Sequence, residues 1–290
     1  MFSELTANIF EGDVMSIRVR ALRPFVGGLF LSGCAGVASA ANVAAPAAPI
    51  EVTFASGERL LHGFVYKPGS KGPFRAVLWN HGSERRPGWL PKLGPLFVAR
   101  GYVFFIPHRR GQGRSPGDYI MDLLNPENAS QNVEPRSKKL AELMDEHLQD
   151  QIAALNYLKS LPYVDNRRIA VAGCSFGGIQ TILAAGQQLG LRAAVDFAGA
   201  AQTWTGASEM RERMLAAVHR ATVPVLLIQA ANDYDLAPTR ALDEELKRAG
   251  KPHKVEIFPP FGRTHQDGHE LCVRGGEIWA PTVFSSWITR

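Results

Sequence analysis

The sequence predicts an α/β fold: one domain with a mostly parallel central sheet and helices on both faces. Three observations carry this. Short apolar runs recur from Ile50 onward, helical segments separate them, and most of the runs lack the polar alternation of a half-exposed strand. Glu51–Ala55 and Leu60–Tyr66 come first, as two strands around a Gly-containing turn. Buried strands follow at Arg75–Asn80, Tyr102–Pro107, Arg168–Gly173, Ala193–Phe197, Pro224–Gln229 and Lys254–Phe258. Between them, Ser137–Leu161 places Leu140, Met144, Leu148, Ile152 and Leu155 at spacings of three and four, which makes one apolar stripe on a helix. Ile179–Ala185 reads as a helix, and so does Ala241–Ala249, which ends at Gly250. Ala201–Arg220 breaks the rhythm and is expected to form a small cap over the sheet edge. Strand–helix alternation of this kind is what a two-faced α/β domain requires. Trp279 and Trp287 are expected in its core.

Composition narrows the function classes. Lys+Arg 32 against Asp+Glu 27 gives a net charge of +5 over 290 residues, with no basic block, so nucleic acid is excluded as a partner. Cysteines stand at 34, 174 and 272 with no Cys-x-x-Cys spacing, which predicts neither a disulfide scaffold nor a metal site. Cys174 and Cys272 are expected as two small buried thiols, the alternative being that the two meet. Residues 1–40 read as an export signal: Arg18, Arg20 and Arg23 precede an apolar run too short to span a bilayer, and Ala38-Ser39-Ala40 follows. Met15 is the expected start. Leu31-Ser32-Gly33-Cys34 offers a second reading, in which an acylated Cys34 anchors the protein to a membrane. Export from a bacterial cytoplasm is expected either way, to the periplasm or the medium. Residues 41–49 read as a linker, and 50–290 as the folded domain.

The sharpest motif is Gly173-Cys174-Ser175-Phe176-Gly177-Gly178, after one strand and before one helix. A serine on such a turn is held in a strained conformation, and glycines on either side let neighbouring chain pass close. The following helix directs free N–H groups and its dipole at a developing oxyanion. A serine nucleophile needs a base, and the base needs an orienting carboxylate. Asp233 falls at the carboxyl end of the strand Pro224–Gln229, with Asp235 two residues on. The loop expected after the last strand offers His265 and His269; Gly268 is expected to give the backbone freedom to turn His269. The N–H groups of Phe176 and Ser83 are the expected oxyanion donors, with His81 shaping the loop that carries Ser83.

His81-Gly82, Arg110-Gly-Gln-Gly-Arg-Ser115, Tyr163–Ile169 leading into Gly173–Gly178, Asp233 and Gly268-His269 occur in one order through residues 75–290. In these the chain resembles the α/β-hydrolases of the dienelactone hydrolase and prolyl oligopeptidase-like branch. Cys174 precedes a serine, where dienelactone hydrolases proper carry a cysteine nucleophile. The resemblance implies the α/β-hydrolase fold, the triad Ser175, Asp233 and His269, and hydrolysis of a small-molecule carboxylic ester through an acyl-enzyme, with no cofactor and no metal. An acyltransferase or peptidase on the same fold and a catalytically silent binding module are the alternatives. Arg85, Arg86, Arg109, Arg110 and Arg114 raise one more question. Either they rim one end of the sheet and draw an anionic substrate, or Arg110 braces a loop and the rest are solvated.

Overall fold

Eight strands pair in the order β1-β2-β4-β3-β5-β6-β7-β8. They are β1 (Ile50–Ser56), β2 (Arg59–Tyr66), β3 (Phe74–Asn80), β4 (Tyr102–Pro107), β5 (Val164–Cys174), β6 (Ala194–Phe197), β7 (Val225–Ala230) and β8 (His253–Phe258). Strand β2 runs antiparallel to both its neighbours, β1 and β4, while β4, β3 and the remaining strands pair in parallel. The computed structural model describes residues 48–125 and 133–286. Residues 1–40, expected as an export signal, most of the expected linker 41–49 and Trp287 lie outside the described residues.

Alternate side chains of each central strand feed two cores, the period-2 consequence of a pleated sheet. Ala76, Leu78, Ile169, Val171, Val225 and Leu227 face one core. Val77, Trp79, Ala170, Ala172, Leu226 and Ile228 face the other. The first is closed by α3 (Val133–Ser160), α4 (Phe176–Ala185), α5 (Ser208–His219) and α6 (Ala237–Arg248), and the second by α1 (Leu93–Val98), α8 (Leu271–Arg274) and α9 (Gly276–Ser286). Short α2 (Ile120–Leu124) and α7 (His265–His269) complete the order. Helix α3 buries Leu140, Met144, Leu148 and Leu155, the stripe its sequence shows. It ends before Leu161-Pro162, where the residue preceding proline is pushed out of helical geometry.

One expectation needs correction here. Ala201–Arg220 is no cap over the sheet edge: its helical part, α5, is an ordinary crossover between β6 and β7, packed against α3, α4 and α6. Met210, Met214, Ala217 and Val218 are its buried face.

The stretch after β4 is fastened to α3 by a buried ion pair. Asp150, at 1% side-chain exposure, accepts from Arg110 Nη2 at 2.8 Å, Arg110 Nε at 2.9 Å, the Arg110 N–H at 3.0 Å and Ser56 Oγ at 2.8 Å. Burial opposes the Asp150 charge, but these donors outweigh it and hold the carboxyl below its ordinary range. Breaking such a pair from one side costs about 3–5 kcal/mol, because the remaining charge is left buried. Arg110 is therefore a brace.

Candidate active site

Ser175 sits between β5 and α4 at φ 57°, ψ −118°, a left-handed conformation costly for a residue with a side chain. Its surroundings impose that turn. Ser175 N–H donates to the Phe197 carbonyl at the end of β6, at 2.9 Å. A Cβ on Gly177 would strike the Asn80 carbonyl, one on Gly173 would strike Gly177, and one on Gly178 would strike the Asp196 carboxylate. The glycines are there for close approach. Asn80 Nδ2 donates to Thr181 Oγ1 at 3.2 Å, and Thr181 Oγ1 to the Gly177 carbonyl at 2.9 Å, so the end of β3 is tied to α4.

The loop after β3 is held from its buried side. Arg109 Nη2 donates to the Gly82 carbonyl at 2.5 Å, Gln112 Nε2 to the Glu84 carbonyl at 2.8 Å and Tyr119 OH to the Ser83 carbonyl at 2.5 Å. Carbonyl and N–H of a trans peptide point in opposite directions. With Gly82 C=O turned to Arg109, the Ser83 N–H is directed the other way, and Ser83 lines the cavity above Ser175. Arg109 is buried, which pulls it down to about 10 and leaves it protonated. His81 is buried against it; burial first, and Arg109 second, push its imidazole well below the usual range. It shapes the loop as an uncharged ring. The support from Arg109, Gln112 and Tyr119 escaped the sequence reading, because nothing local links them to residues 82–84.

His269 and Asp233 meet: His269 Nδ1 lies 2.9 Å from Asp233 Oδ1, with both side chains buried. Asp233 Oδ1 also accepts the Tyr234 N–H at 2.6 Å. Asp235 is a turn residue instead, its Oδ1 accepting the Ala237 N–H at 2.8 Å. His265 is exposed and turned to the Asn232 carbonyl at 3.0 Å. The segment carrying both histidines, read as a loop, contains helix α7, started by a capping box between Thr264 and Asp267. Gly268 lies inside that helix, where a Cβ would collide with Asn232. Close packing, and not backbone freedom, is the reason for glycine there. Asn232 fastens the approach to α7, donating to the Phe261 and Thr264 carbonyls at 3.0 and 2.8 Å and accepting the Phe261 N–H at 2.8 Å.

Cys174 and Cys272 are not two free thiols but take the alternative arrangement: they form a disulfide with Cα atoms 6.0 Å apart, joining the residue before Ser175 to α8 just beyond His269. Of the two readings of the arginines, Arg110 follows the brace and no rim forms, though Arg109 is buried and not solvated. Arg85 pairs with Asp122 at 2.7 Å and lies over Tyr119, Arg109 is buried, Arg110 braces α3, and Arg114 pairs with Glu51 at 2.7 Å. Neither these nor Arg86 line the cavity of about 390 Å³ that opens over Ser175 and His269. The walls are instead Ser83, Glu84, Tyr119, Gln202, Gln266 and Glu270, with the disulfide at the base. A space of this size suits a small molecule.

Known proteins share this frame. The family model described as "Dienelactone hydrolase family" matches residues 93–266, more than half of the chain. The chain belongs to the dienelactone hydrolase family, and its fold is that of the α/β-hydrolases. Among characterised sequences it is similar to "Quorum-quenching protein AidA" of Acinetobacter baumannii (strain MDR-ZJ06), 29% identical over 46% of this chain and 38% of that protein. It is also similar to "Polyketide transferase grgF" of Penicillium sp, 28% identical over 59% of this chain and 50% of that protein. The chain thus matches half or less of the length of these relatives. Among solved structures, a Mycobacterium tuberculosis puromycin-hydrolyzing peptidase superposes with TM-score 0.64 at 19% identity, over 83% of this chain and 40% of that one.

Asp196 stands at the end of β6 beside the elbow and is buried. Burial raises its carboxyl to about 7, against the Gly199 N–H that favours the charge, and Asp233 nearby adds to the rise. A carboxyl raised on folding binds its proton more tightly folded than unfolded. Stability is therefore greatest in acid and falls as pH climbs from the ordinary aspartate range to about 7. Denaturant midpoints measured from pH 4.5 to 7.5 should fall less steeply for Asp196→Asn than for the unmodified protein. Equal slopes would contradict the assignment.

Proposed function

We propose that the protein is a serine hydrolase that cleaves carboxylic esters of small molecules through an acyl-enzyme intermediate. The observation that carries this is the convergence on one cavity of Ser175, held at a strained turn, and His269, hydrogen-bonded to Asp233. Ser175 Oγ attacks the acyl carbonyl. An Nδ1–H given to Asp233 leaves the Nε2 lone pair of His269 to take the serine proton and return it to the leaving alcohol. Asp233 fixes the orientation of the imidazole. The N–H groups of Phe176, at the start of α4, and Ser83 receive the oxyanion, a donor pair in which each member is worth roughly 10²–10³ in rate. Water then repeats the attack on the acyl-enzyme. The cavity volume supports a small ester. If an alcohol enters in place of water, the same half-reactions give acyl transfer; the similarity to a protein named as a transferase is the observation on that side.

The same reading has residues 1–40 removed or lipidated on export. The Cys174–Cys272 bond supports it, because disulfides persist in oxidising compartments outside the cytoplasm. Intact-mass analysis of the protein made in a bacterial host should find a chain starting at Ala41 or a diacylated Cys34. A full-length cytosolic chain would count against both.

For the chemistry, Ser175→Ala and His269→Ala should each lower turnover of a chromogenic ester by roughly 10⁴ or more while leaving the circular dichroism spectrum unchanged. His265→Ala should stay within about tenfold of the unmodified enzyme, a barrier change of about 1.4 kcal/mol. A Ser175→Ala protein with half the original rate would refute the nucleophile. Loss of turnover in His265→Ala alone would move the base.

A further inference from the structure

One exposed carboxylate on the cavity wall has no directly bonded partner. Two carboxylates line the space, Glu84 and Glu270. Glu270 is committed: its Oε1 accepts from Gln266 Nε2 at 2.7 Å and its Oε2 from Arg274 Nη1 at 2.8 Å. The Glu84 carboxylate takes part in no ion pair or hydrogen bond among the described residues. Its position is nonetheless defined. Glu84 Oε2 lies 2.6 Å from the point where a Cβ on Gly82 would stand, and Ser175 Cβ lies 3.5 Å from that same point. Gly82 thus leaves the room in which carboxylate and nucleophile come within a few ångströms of each other.

No ion pair or hydrogen bond joins Glu84 to a nearby cation. Arg109 attracts its charge from the buried side of Gly82, where Nη2 donates to the Gly82 carbonyl and faces His81 and Nη1 has no hydrogen-bond partner. Arg85, the next residue in the chain, is held by Asp122 and Tyr119. Among the described residues no lysine or arginine lines the cavity. A chain of net charge +5 therefore presents a negative spot beside its candidate nucleophile. A carboxylate next to a developing oxyanion also raises the cost of the tetrahedral intermediate, and a cationic group on the substrate would offset that cost.

We propose that Glu84 is a specificity-determining residue that recognises a cationic group, a protonated amine or quaternary ammonium, on esters whose carbonyl reaches Ser175. This rests on the hydrolase reading above and names its substrate class. A partly exposed ion pair of this kind is worth about fivefold in selectivity, and screening by salt weakens it.

Two matched pairs of substrates read it, one with the charge on the alcohol side and one on the acyl side. The first is butyrylthiocholine against S-(3,3-dimethylbutyl) thiobutanoate. The second is the 4-nitrophenyl ester of 4-(trimethylammonio)butanoate against that of 5,5-dimethylhexanoate. In at least one pair the cationic member should have a kcat/KM about fivefold higher at low salt. Glu84→Gln should bring that ratio near one, and Glu84→Lys should invert it. A ratio near one in both pairs for the unmodified enzyme, or a ratio that survives Glu84→Gln, overturns the proposal. Calorimetry with the Ser175→Ala protein makes the same comparison without turnover. There the cationic ester should bind about fivefold tighter than its neutral partner, and adding Glu84→Gln should erase the difference; equal binding of both overturns the proposal. Failure of the unmodified protein to turn over any of the four esters counts against the hydrolase reading and leaves the calorimetric comparison to decide Glu84.

Discussion

The close approach of three chain segments at the end of the sheet is the constraint on which the rest depends. The carbonyl ends of β3 and β6 press on the turn between β5 and α4 so tightly that Gly173, Gly177 and Gly178 have no space for a side chain. Ser175, with backbone neighbours on both sides, is left with one way to turn, at positive φ. The strain is sustained because the surrounding contacts over-determine it: the Phe197 carbonyl takes the Ser175 N–H, and the Asn80–Thr181–Gly177 chain of hydrogen bonds fixes the start of α4. Because the same tight packing fixes the end of β3, it also sets where residues 82–84 begin and which way the Ser83 N–H is turned.

A second fastening brings the other half of the site to that turn. His269 lies on a one-turn helix, too short to hold its place alone. Asn232 binds the segment before α7 to the end of β7, and packs so closely on Gly268 that the helix is pinned one residue from His269. Beyond His269 the disulfide ties α8 to Cys174, and Trp279 Nε1 caps the Leu271 and Cys272 carbonyls from α9 at 3.2 and 3.1 Å. Elbow and histidine segment are thus joined covalently at their bases. Charge is arranged with the same economy: of two aspartates buried at adjacent strand ends, Asp233 meets an imidazole and a backbone N–H, while burial favours the neutral form of Asp196.

The sequence was readable wherever a local pattern reports a local structure. Apolar runs mark all eight strands to within a few residues, and the Leu140–Leu155 stripe marks α3, because burial on a known period is a short-range property. Ser175 and Asp233 were legible for the same reason, each lying just past an obvious strand. Where the outcome depends on long-range contact, the sequence leaves it undecided. Cys174 and Cys272 are separated by 98 residues, and only the folded chain brings their Cα atoms within bonding range. Arg109 and Arg110 are neighbours in sequence, yet one supports the loop under Ser83 and the other braces α3. Two errors were avoidable. Met210, Met214, Ala217 and Val218 form an i, i+4, i+7, i+8 stripe, a helical signal masked by the polar residues between them. Thr264 with Asp267 is a capping box in which aspartate stands where glutamate or glutamine is usual, so α7 was read as loop.

The central claim is that the packed turn makes Ser175 a nucleophile activated by His269. Labelling with a fluorophosphonate, followed by peptide mapping, tests it most directly, since the reagent bonds only to an activated serine. The account predicts a single adduct on Ser175 at neutral pH and labelling slowed at least a hundredfold in Asp233→Ala, whose His269 is left unoriented. An unlabelled protein, or an adduct on any serine other than Ser175, would contradict it.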